Sequence, residues 1–410
     1  MLPQEIIELI IDQLRTSPSA LKSCSLVSRG WAARSQKHLF ARVIIRSDCL
    51  RRWCRKIPPG PTGMSSLTGH LVLVASADPF KREAWFEPNL LIHASDHLSS
   101  FTNVHTLDVI RWKFSNEDVY TAPFSRIALT IHSLRITAPA LDSSAFLTFA
   151  TFFGRAESVY IIRPHITVQE SATPDLVPTA STVISWTSLH LLDFADTGLP
   201  LLNAIAQLPL RVTNLTVGLR SPSYHSSSLT VLLRACSKTL QTLRLCRSAG
   251  GEHFNLQDIW TNRLTDDEDS LSAAFASLPL VLPPLPQLRS IQFCALLGVG
   301  WLRADTLLSI TSEYISRITI EMQHLLDPAI LGSVIDWDAI DRALRILETQ
   351  SQSHRITKMV VQFHCLTCEW KEEVGRLKAN TGWLPRFEQV GVIEFVSDED
   401  LYTGGRKYHL

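Results

Sequence analysis

Short β-prone runs recur along this chain from residue 41 onward, and several alternate as Leu-x-Leu or Ile-x-Ile. That alternation is typical of a strand with one buried face. Four intervals between successive runs are nearly equal, which predicts a repeating unit of one strand and its connection. These intervals run from Leu107 to Leu134, from Leu134 to Tyr160, from Leu215 to Leu243 and from Ile291 to Ile318.

Repeats of this length fit the leucine-rich repeat of about 20–29 residues, at the long end where a helix lies opposite each strand. Segments 227–235, 336–347 and 369–378 have helical spacing of apolar residues, as with Leu229, Leu232 and Leu233. Each predicted unit therefore consists of a strand and a crossover helix, which leads to the next, parallel strand. The predicted fold is an irregular α/β solenoid, since the interval from Leu243 to Ile291 is much longer than the others. Strands are predicted at 41–45, 70–74, 105–110, 134–136, 158–162, 189–194, 215–217, 243–245, 291–293, 318–320, 359–363 and 392–395.

Composition excludes several classes of protein. With 410 residues and 45% apolar residues, the chain forms either two or three domains or one elongated array. Its 39 basic and 39 acidic residues give no reason to expect a nucleic-acid or membrane partner. No run reaches the roughly 18 apolar residues of a membrane span, and the first residues lack a signal-peptide pattern. The eight dispersed cysteines are interpreted as reduced thiols, so we expect an intracellular protein, cytoplasmic or nuclear or both.

The first forty residues predict three short helices. Apolar residues at positions 6, 7, 10, 11 and 14 form a stripe on the first helix. Ser17 and Ser28 are predicted N-caps of the second and third helices, with Pro18 at the first position of the second. So small a unit is marginal alone, and its excess apolar surface indicates an interface. Ile10, Leu14 and Leu39 are assigned to core packing.

The same forty residues resemble the F-box motif, whose elements occur here in order. The pattern comprises Leu-Pro-x-Glu and an apolar pair, a second apolar pair, Leu-x-x-Cys, and Val-Ser-Arg-x-Trp. The layout also resembles F-box proteins of basidiomycete fungi, through segments 335–341 and 383–387. The resemblance divides the chain into an F-box at 1–45 and a substrate-recognition solenoid at 46–410. The residues it assigns to adaptor contact, or to its support, are Leu2, Pro3, Ile6, Leu21, Cys24, Leu26, Val27 and Trp31.

What the resemblance implies is a substrate-recognition subunit of an SCF-type ubiquitin ligase. The F-box would bind a Skp-type adaptor, which connects to a cullin–RING ligase, and the repeats would bind a client protein. For Leu2, Pro3 and Val27 contact with the adaptor is favoured over core packing. The alternative is a repeat scaffold that takes no part in ubiquitination.

No sequence motif predicts catalysis or a cofactor. Gly298 and Gly300 do not continue into a dinucleotide-binding pattern, and one Cys-x-x-Cys at Cys365 and Cys368 is a weak zinc or redox signal. The expectation is a non-enzyme with no cofactor and no metal, with an enzyme or redox protein using those two thiols as a second rival. The acidic run at 266–269 is interpreted as a solvated loop, against an acidic lip for a basic client. Asp108, Asp193 and Asp196 are interpreted as surface or capping residues, and Trp85, Trp112, Trp186 and Trp260 as core rather than a binding surface.

Overall fold

The computed structural model divides the chain into two compact units, Met1–Thr187 and Ser188–Leu410, here called unit 1 and unit 2. The division does not coincide with the boundary predicted after residue 45, and that boundary stays a prediction. The residues described are 3–56, 63–75, 94–113, 124, 127–141, 146, 150, 152–166, 184–194, 199–219, 226–247, 280–294, 303–323, 337–350, 358–365 and 392–397.

Unit 1 begins with three helices and continues with strands that alternate with short helical segments. The helices are α1 (Gln4–Gln13), α2 (Pro18–Ser25), α3 (Arg29–Phe40), α4 (Leu50–Lys56), α5 (Gly63–Leu67) and α6 (Ser95–Leu98). The strands are β1 (Arg42–Arg46), β2 (His70–Val74), β3 (Thr106–Ile110), β4 (Ser133–Thr137), β5 (Ala140–Leu141), β6 (Ser158–Ile162) and β7 (His165–Ile166). Helix α3 contacts both α5 and β1, so the first three helices pack against the following part of the unit.

Unit 2 alternates longer helices with strands. Its helices are α7 (Leu199–Ala206), α8 (Ser226–Cys236), α9 (Ala304–Leu308) and α10 (Trp337–Gln350). Its strands are β8 (Ser188–Phe194), β9 (Asn214–Leu219), β10 (Thr242–Arg247), β11 (Ser290–Cys294), β12 (Arg317–Gln323), β13 (Lys358–Cys365) and β14 (Val392–Ser397). Helices α8 and α10 confirm the predictions at 227–235 and 336–347, whereas segment 369–378 lies outside the described residues.

Neighbouring strands are parallel in both units. In unit 1 the order is β1-β2-β3-β4-β6, and in unit 2 it is the chain order from β8 to β14. All twelve predicted strands are present, which confirms an α/β fold built on parallel strands; the two-residue strands β5 and β7 were not predicted. Parallel neighbours that follow one another in sequence require the crossover connections that the repeat length indicates.

Register confirms most of the predicted intervals. Leu107 pairs with Leu134, and Leu215 pairs with Leu243. Leu243 pairs with Ile291 although a much longer connection separates them. One interval is wrong by a residue, because Leu134 pairs with Val159 and not with Tyr160.

In β4 and β6 the core lies under one face of the strands, whereas β2, β3 and β9 also bury residues of the other face, such as Val72 and Thr216. In β4 Leu134 and Ile136 are buried while Ser133, Arg135 and Thr137 are half-buried, and β6 alternates in the same way. The helices cover that buried face with residues such as Leu232 on α8, whose side chain has no exposed surface. A period of two in the strands and of 3.6 in the helices therefore produces one continuous apolar layer in each unit.

At seven steps between neighbouring described strands, a repeated hydrogen-bond pattern joins the two strands just before their first residues. The carbonyl of His105 accepts from the amides of His132 and Ser133, at 2.9 and 3.0 Å. In unit 2 the carbonyl of Thr213 accepts from Gln241 and Thr242, at 2.8 and 2.9 Å. One carbonyl that binds two successive amides sets the register at the start of each of these steps.

A second repeated bond comes from hydroxyl side chains in the turn before a strand, here called the hydroxyl bridges. The Thr130 hydroxyl donates to the Val104 carbonyl at 2.6 Å, and the Thr239 hydroxyl donates to the Val212 carbonyl at 2.8 Å. Ser312 does the same for Leu288 at 2.6 Å. The accepting carbonyl always belongs to the residue two positions before the preceding strand, so each bridge connects one repeat to the next.

Three strands of unit 1 are directly followed by a residue whose backbone is in the left-handed region. Arg111, Ala138 and Arg163 directly follow β3, β4 and β6 and have φ of 56°, 47° and 52°. Positive φ costs an L-residue free energy, yet the amide of Arg111 binds the Thr137 carbonyl at 2.8 Å and that of Ala138 binds the Ile162 carbonyl at 2.7 Å. These bonds between repeats hold the turn in the strained conformation.

Candidate protein-binding surface

Helices α1 and α3 run side by side in the same direction. At their starts, a Cβ on Gly30 would lie 3.4 Å from Gln4 Oε1. Further along, Asp12 on α1 meets Arg34 and His38 on α3. Two contact points, one at the start and one near the end of α1, fix the relative position of the two helices.

Asp12, Arg34 and His38 form a charged cluster, the Asp12 cluster, that joins these two helices. The Arg34 guanidinium donates from Nε to Asp12 Oδ1 at 2.7 Å and from Nη2 to Oδ2 at 2.6 Å, and His38 Nε2 lies 2.7 Å from Oδ1. The bidentate bond from Arg34, followed by the bond with His38, holds the pKa of Asp12 well below its usual range. The carboxylate is therefore the form that joins the helices at neutral pH.

Helix α1 carries two apolar stripes that have different surroundings. Ile7, Ile11 and Leu14 form the inward stripe, with Ile11 fully buried. Ile6 and Leu9 point outward together with Ile10, and their side chains are 42%, 58% and 40% exposed. The assignment of Ile10 to the core is therefore wrong, whereas Leu14 and Leu39 are half-buried.

The turn between α2 and α3 exposes two further apolar side chains. Leu26 is 87% exposed and Val27 is 63% exposed. Their amides bind the carbonyls of Ser23 and Cys24 at 3.1 Å each, so the backbone of this turn is held in place. The predicted Ser28 cap is confirmed, since the Trp31 amide donates to the Ser28 hydroxyl at 3.4 Å. The predicted N-cap position of Ser17, with Pro18 as the first residue of α2, is confirmed, but the Ser17 side chain makes no capping hydrogen bond.

The exposed side chains begin where α1 and α3 start close together, and Leu9 and Ile10 continue along the outward side of α1. Val27 precedes Gly30 by three residues and Ile6 follows Gln4 by two, and Gly30 and Gln4 are in contact distance. We call the set Ile6, Leu9, Ile10, Leu26 and Val27 the N-terminal apolar surface. Burying a Leu, Ile or Val side chain contributes about 1.5–3 kcal/mol, so five side chains left in water constitute a substantial driving force for association.

The predicted adaptor-contact residues differ in their exposure. Pro3, Ile6, Leu26 and Val27 are exposed. Leu21 and Cys24 are buried at 1% and 8% exposure, so in this structure they support α2 from inside; Trp31 is half-buried. Leu2 lies outside the described residues. Leu9 was not predicted, although its position three residues after Ile6 places it on the same helical face.

The other candidate sites give no assembled chemistry. Cys365 lies in β13, and Cys368 and the acidic run at 266–269 lie outside the described residues. Within the described ranges no group of three or more His, Cys, Asp or Glu residues has the arrangement of a metal site. None of the described helices has the length and hydropathy needed to cross a bilayer.

The remaining polar and aromatic predictions have mixed outcomes. Trp112 and Trp186 are completely buried, which confirms core packing for both, while Trp85 and Trp260 lie outside the described residues. Interpreting Asp108 as a surface residue is wrong, because it is 6% exposed and its Oδ2 lies 2.9 Å from His70 Nε2. Asp193 lies in β8, and Asp196 lies outside the described residues.

Comparison with known proteins leaves the chain without an assigned family. No family model matches it, and no curated protein matches it. The crystal structure of the Rad7 and Elc1 complex in yeast is similar over 88% of this chain and 88% of the matched chain, at 11% sequence identity and a TM-score of 0.27. A likeness of that size does not support a common fold.

Proposed function

We propose that this protein is a non-catalytic adaptor that binds a Skp-type protein through its N-terminal helices. Through that adaptor it would join a cullin–RING ubiquitin ligase, and the strand repeats would bind a client. The observation that carries the proposal is the N-terminal apolar surface, in which Ile6, Leu26 and Val27 are residues that the F-box resemblance assigns to contact or its support. Of those residues, Pro3, Ile6, Leu26 and Val27 are all exposed.

The exposure of Leu26 and Val27 is the strongest support. Both side chains stand in a turn whose backbone amides are already bonded, and α2 behind them is anchored by buried Leu21 and Cys24. A folded unit that leaves two large apolar side chains in water at a rigid turn gains by covering them. Little conformational entropy would be lost on binding, because the turn is already ordered.

The mechanism that follows from this role is proximity. The protein would hold a client near the charged E2 enzyme of the ligase and so raise the effective concentration of the client's lysines. No group of this chain would take part in bond making. Its contribution would be the geometry between the adaptor-binding helices and the client-binding repeats.

A binding assay with a purified recombinant Skp-type adaptor tests the proposal. We expect the full chain to co-purify with the adaptor and a Leu26→Ser/Val27→Ser variant to bind far more weakly. Loss of two apolar contacts of about 1.5 kcal/mol each corresponds to roughly a hundredfold rise in Kd. Both side chains are exposed, so the melting temperature of the variant should match that of the wild type.

Leu129→Ser is the matched control. Leu129 is 72% exposed in the 3₁₀ turn Ile127–Leu129, away from the first three helices in sequence. This variant should bind the adaptor as the wild type does. Equal affinity of wild type and Leu26→Ser/Val27→Ser, or no adaptor binding by a folded wild-type chain, would refute the proposal. Adaptor binding without recruitment of a cullin would instead support the scaffold alternative.

A further inference from the structure

The neighbouring strands β10 and β11 each carry a cysteine in their last two residues. Register pairs Cys246 of β10 with Cys294 of β11. Each of them directly follows a buried core residue, which is Leu245 in β10 and Phe293 in β11. Because successive residues of a strand belong to opposite faces, both cysteines occupy positions on the face opposite the core. The fold therefore brings two cysteines together that are far apart in the sequence.

The surroundings of Cys246 leave its thiol open to a small reagent. Cys24 and Cys236 are buried, and burial raises the pKa of the Cys236 thiol to about 12. Such a thiol is inert at neutral pH, since the thiolate is the form that reacts. Cys246 is only half-buried, and its register partner on β9 is Gly218, which has no side chain. A small oxidant can therefore approach Cys246 beside the glycine.

The spacing of the paired positions suits a disulfide bond. Neighbouring strands lie about 4.8 Å apart, and the Cα atoms of two bonded cysteines are about 4.4–6.8 Å apart. Forming the bond thus requires no rearrangement of the sheet. In-register positions of parallel strands are nearly as far apart at Cβ as the strands are, whereas a disulfide favours a Cβ–Cβ distance of about 3.8 Å. The bond would be slightly strained, and strained disulfides are the readily reduced ones.

We propose that Cys246 and Cys294 are a redox-sensitive pair that forms a reversible disulfide between β10 and β11. The oxidant is a small disulfide such as oxidised glutathione. The Cys246 thiolate attacks one glutathione sulfur and releases the first glutathione thiolate. The Cys294 thiolate then attacks the Cys246 sulfur of this mixed disulfide and releases the second. The two cysteines lose two electrons and two protons, and both glutathione molecules leave as thiols.

The disulfide would close a loop of chain that contains the long connection between the two strands. This loop runs from Cys246 to Cys294 and includes everything between the end of β10 and the start of β11. A covalent bond between the two strands limits the freedom of the unfolded chain and opposes local separation of the strands. Oxidation would therefore stabilise this step of unit 2, and reduction would return it to its original stability. The pair includes no residue of the N-terminal helices, so the proposal is independent of adaptor binding.

Peptide mapping of the full-length protein tests the pair. The folded protein is incubated with excess oxidised glutathione, its remaining thiols are alkylated, and it is digested with trypsin without reduction. Arginines on both sides of each cysteine release them on separate peptides, 245–247 and 290–303. We expect mass spectrometry to find these two peptides joined, with the mass of two hydrogen atoms lost. Excess reduced glutathione should separate them again, because the bond is readily reduced.

Thermal unfolding measures the effect of the bond on stability. The oxidised wild type should melt about 5 °C above the reduced wild type, and Cys294→Ser should melt at the same temperature in both conditions. Cys49→Ser is the matched control, since it removes a half-buried thiol from unit 1. This control should form the linked peptides and show the same shift as the wild type.

Several results would overturn the proposal. One is the recovery of 245–247 and 290–303 only as separate peptides, whether alkylated or carrying glutathione. Another is a linked pair found only in a covalent dimer on non-reducing electrophoresis. Equal melting temperatures of the linked and the reduced wild type would show that the bond does not stabilise unit 2.

Discussion

The hydroxyl bridge from Thr239 offers a direct test of how neighbouring repeats are held together. Its hydroxyl lies 2.8 Å from the Val212 carbonyl and 3.4 Å from the Cys236 carbonyl, so the single proton is directed at Val212. Val212 has no exposed surface, and a Thr239→Val change would leave its carbonyl without this donor. Thr239→Val keeps the shape of the side chain and removes only the hydrogen-bonding group.

The expected cost is that of a buried acceptor that loses its partner. Such a loss costs about 1–3 kcal/mol, and the added methyl of valine offsets a small part of it. We expect Thr239→Val to lower the stability of unit 2 by about 1.5 kcal/mol. For a cooperative unit of about 200 residues this corresponds to a decrease in melting temperature of about 3–6 °C.

Thermal unfolding followed by circular dichroism measures the global effect, and hydrogen exchange measures the local one. The amides of Gln241 and Thr242, which bind the Thr213 carbonyl at the same step, should exchange faster in Thr239→Val. Thr239→Ser is the control, since it keeps the hydroxyl and loses only a methyl group. If Thr239→Val is as stable as Thr239→Ser and leaves these amides equally protected, the bridge does not stabilise the junction.

Two further predictions concern unit 1. Asp12 has a lowered folded-state pKa because of Arg34, so its contribution to stability is present above its unfolded pKa and is lost as pH falls below about 4. Asp12→Asn should therefore be less stable than wild type at pH 7, and the difference in unfolding free energy should shrink as the pH is lowered. A difference that stays constant across pH would contradict this. Ala138→Gly should raise the free energy of unfolding by about 0.5–1 kcal/mol in urea, because relief of positive φ outweighs the entropy of glycine. Ala33→Gly, at an exposed position in α3, should lower it by about 1 kcal/mol, and a loss of stability in Ala138→Gly would refute the strain.

The alternation of apolar and polar residues predicted the strands well, because side chains of a strand point alternately to its two faces and so are buried at every second position. The one-residue error at Tyr160 has a physical reason. Tyr160 ended the predicted interval from Leu134, but it lies on the face opposite the core, where the Arg135 guanidinium stands 5.2 Å from the ring centroid. Val159 occupies the core instead. An aromatic ring can also lie on the face of the strands opposite the core when a cation packs against it.

Contacts between distant residues lay beyond the reach of the sequence pattern. Asp108 is buried because His70, far earlier in the chain, meets it from the adjacent strand. The hydroxyl bridges were missed because serine and threonine are frequent throughout the chain, and nothing local marks the ones that bond. In the candidate site, spacing identified which residues share a face of α1 but not which face α3 would cover, and so Ile10 was assigned to the core.

The unchanged register across β10 and β11 has a consequence for how the chain tolerates length. Leu243 pairs with Ile291 as Leu215 pairs with Leu243, although the first step spans a far longer stretch of sequence than the second. Closing the longer connection costs only about 0.5 kcal/mol more in chain entropy, because that term grows with the logarithm of length. Residues can therefore accumulate at this step at little thermodynamic cost, and a peptide epitope inserted there would leave the pairing of the two strands intact.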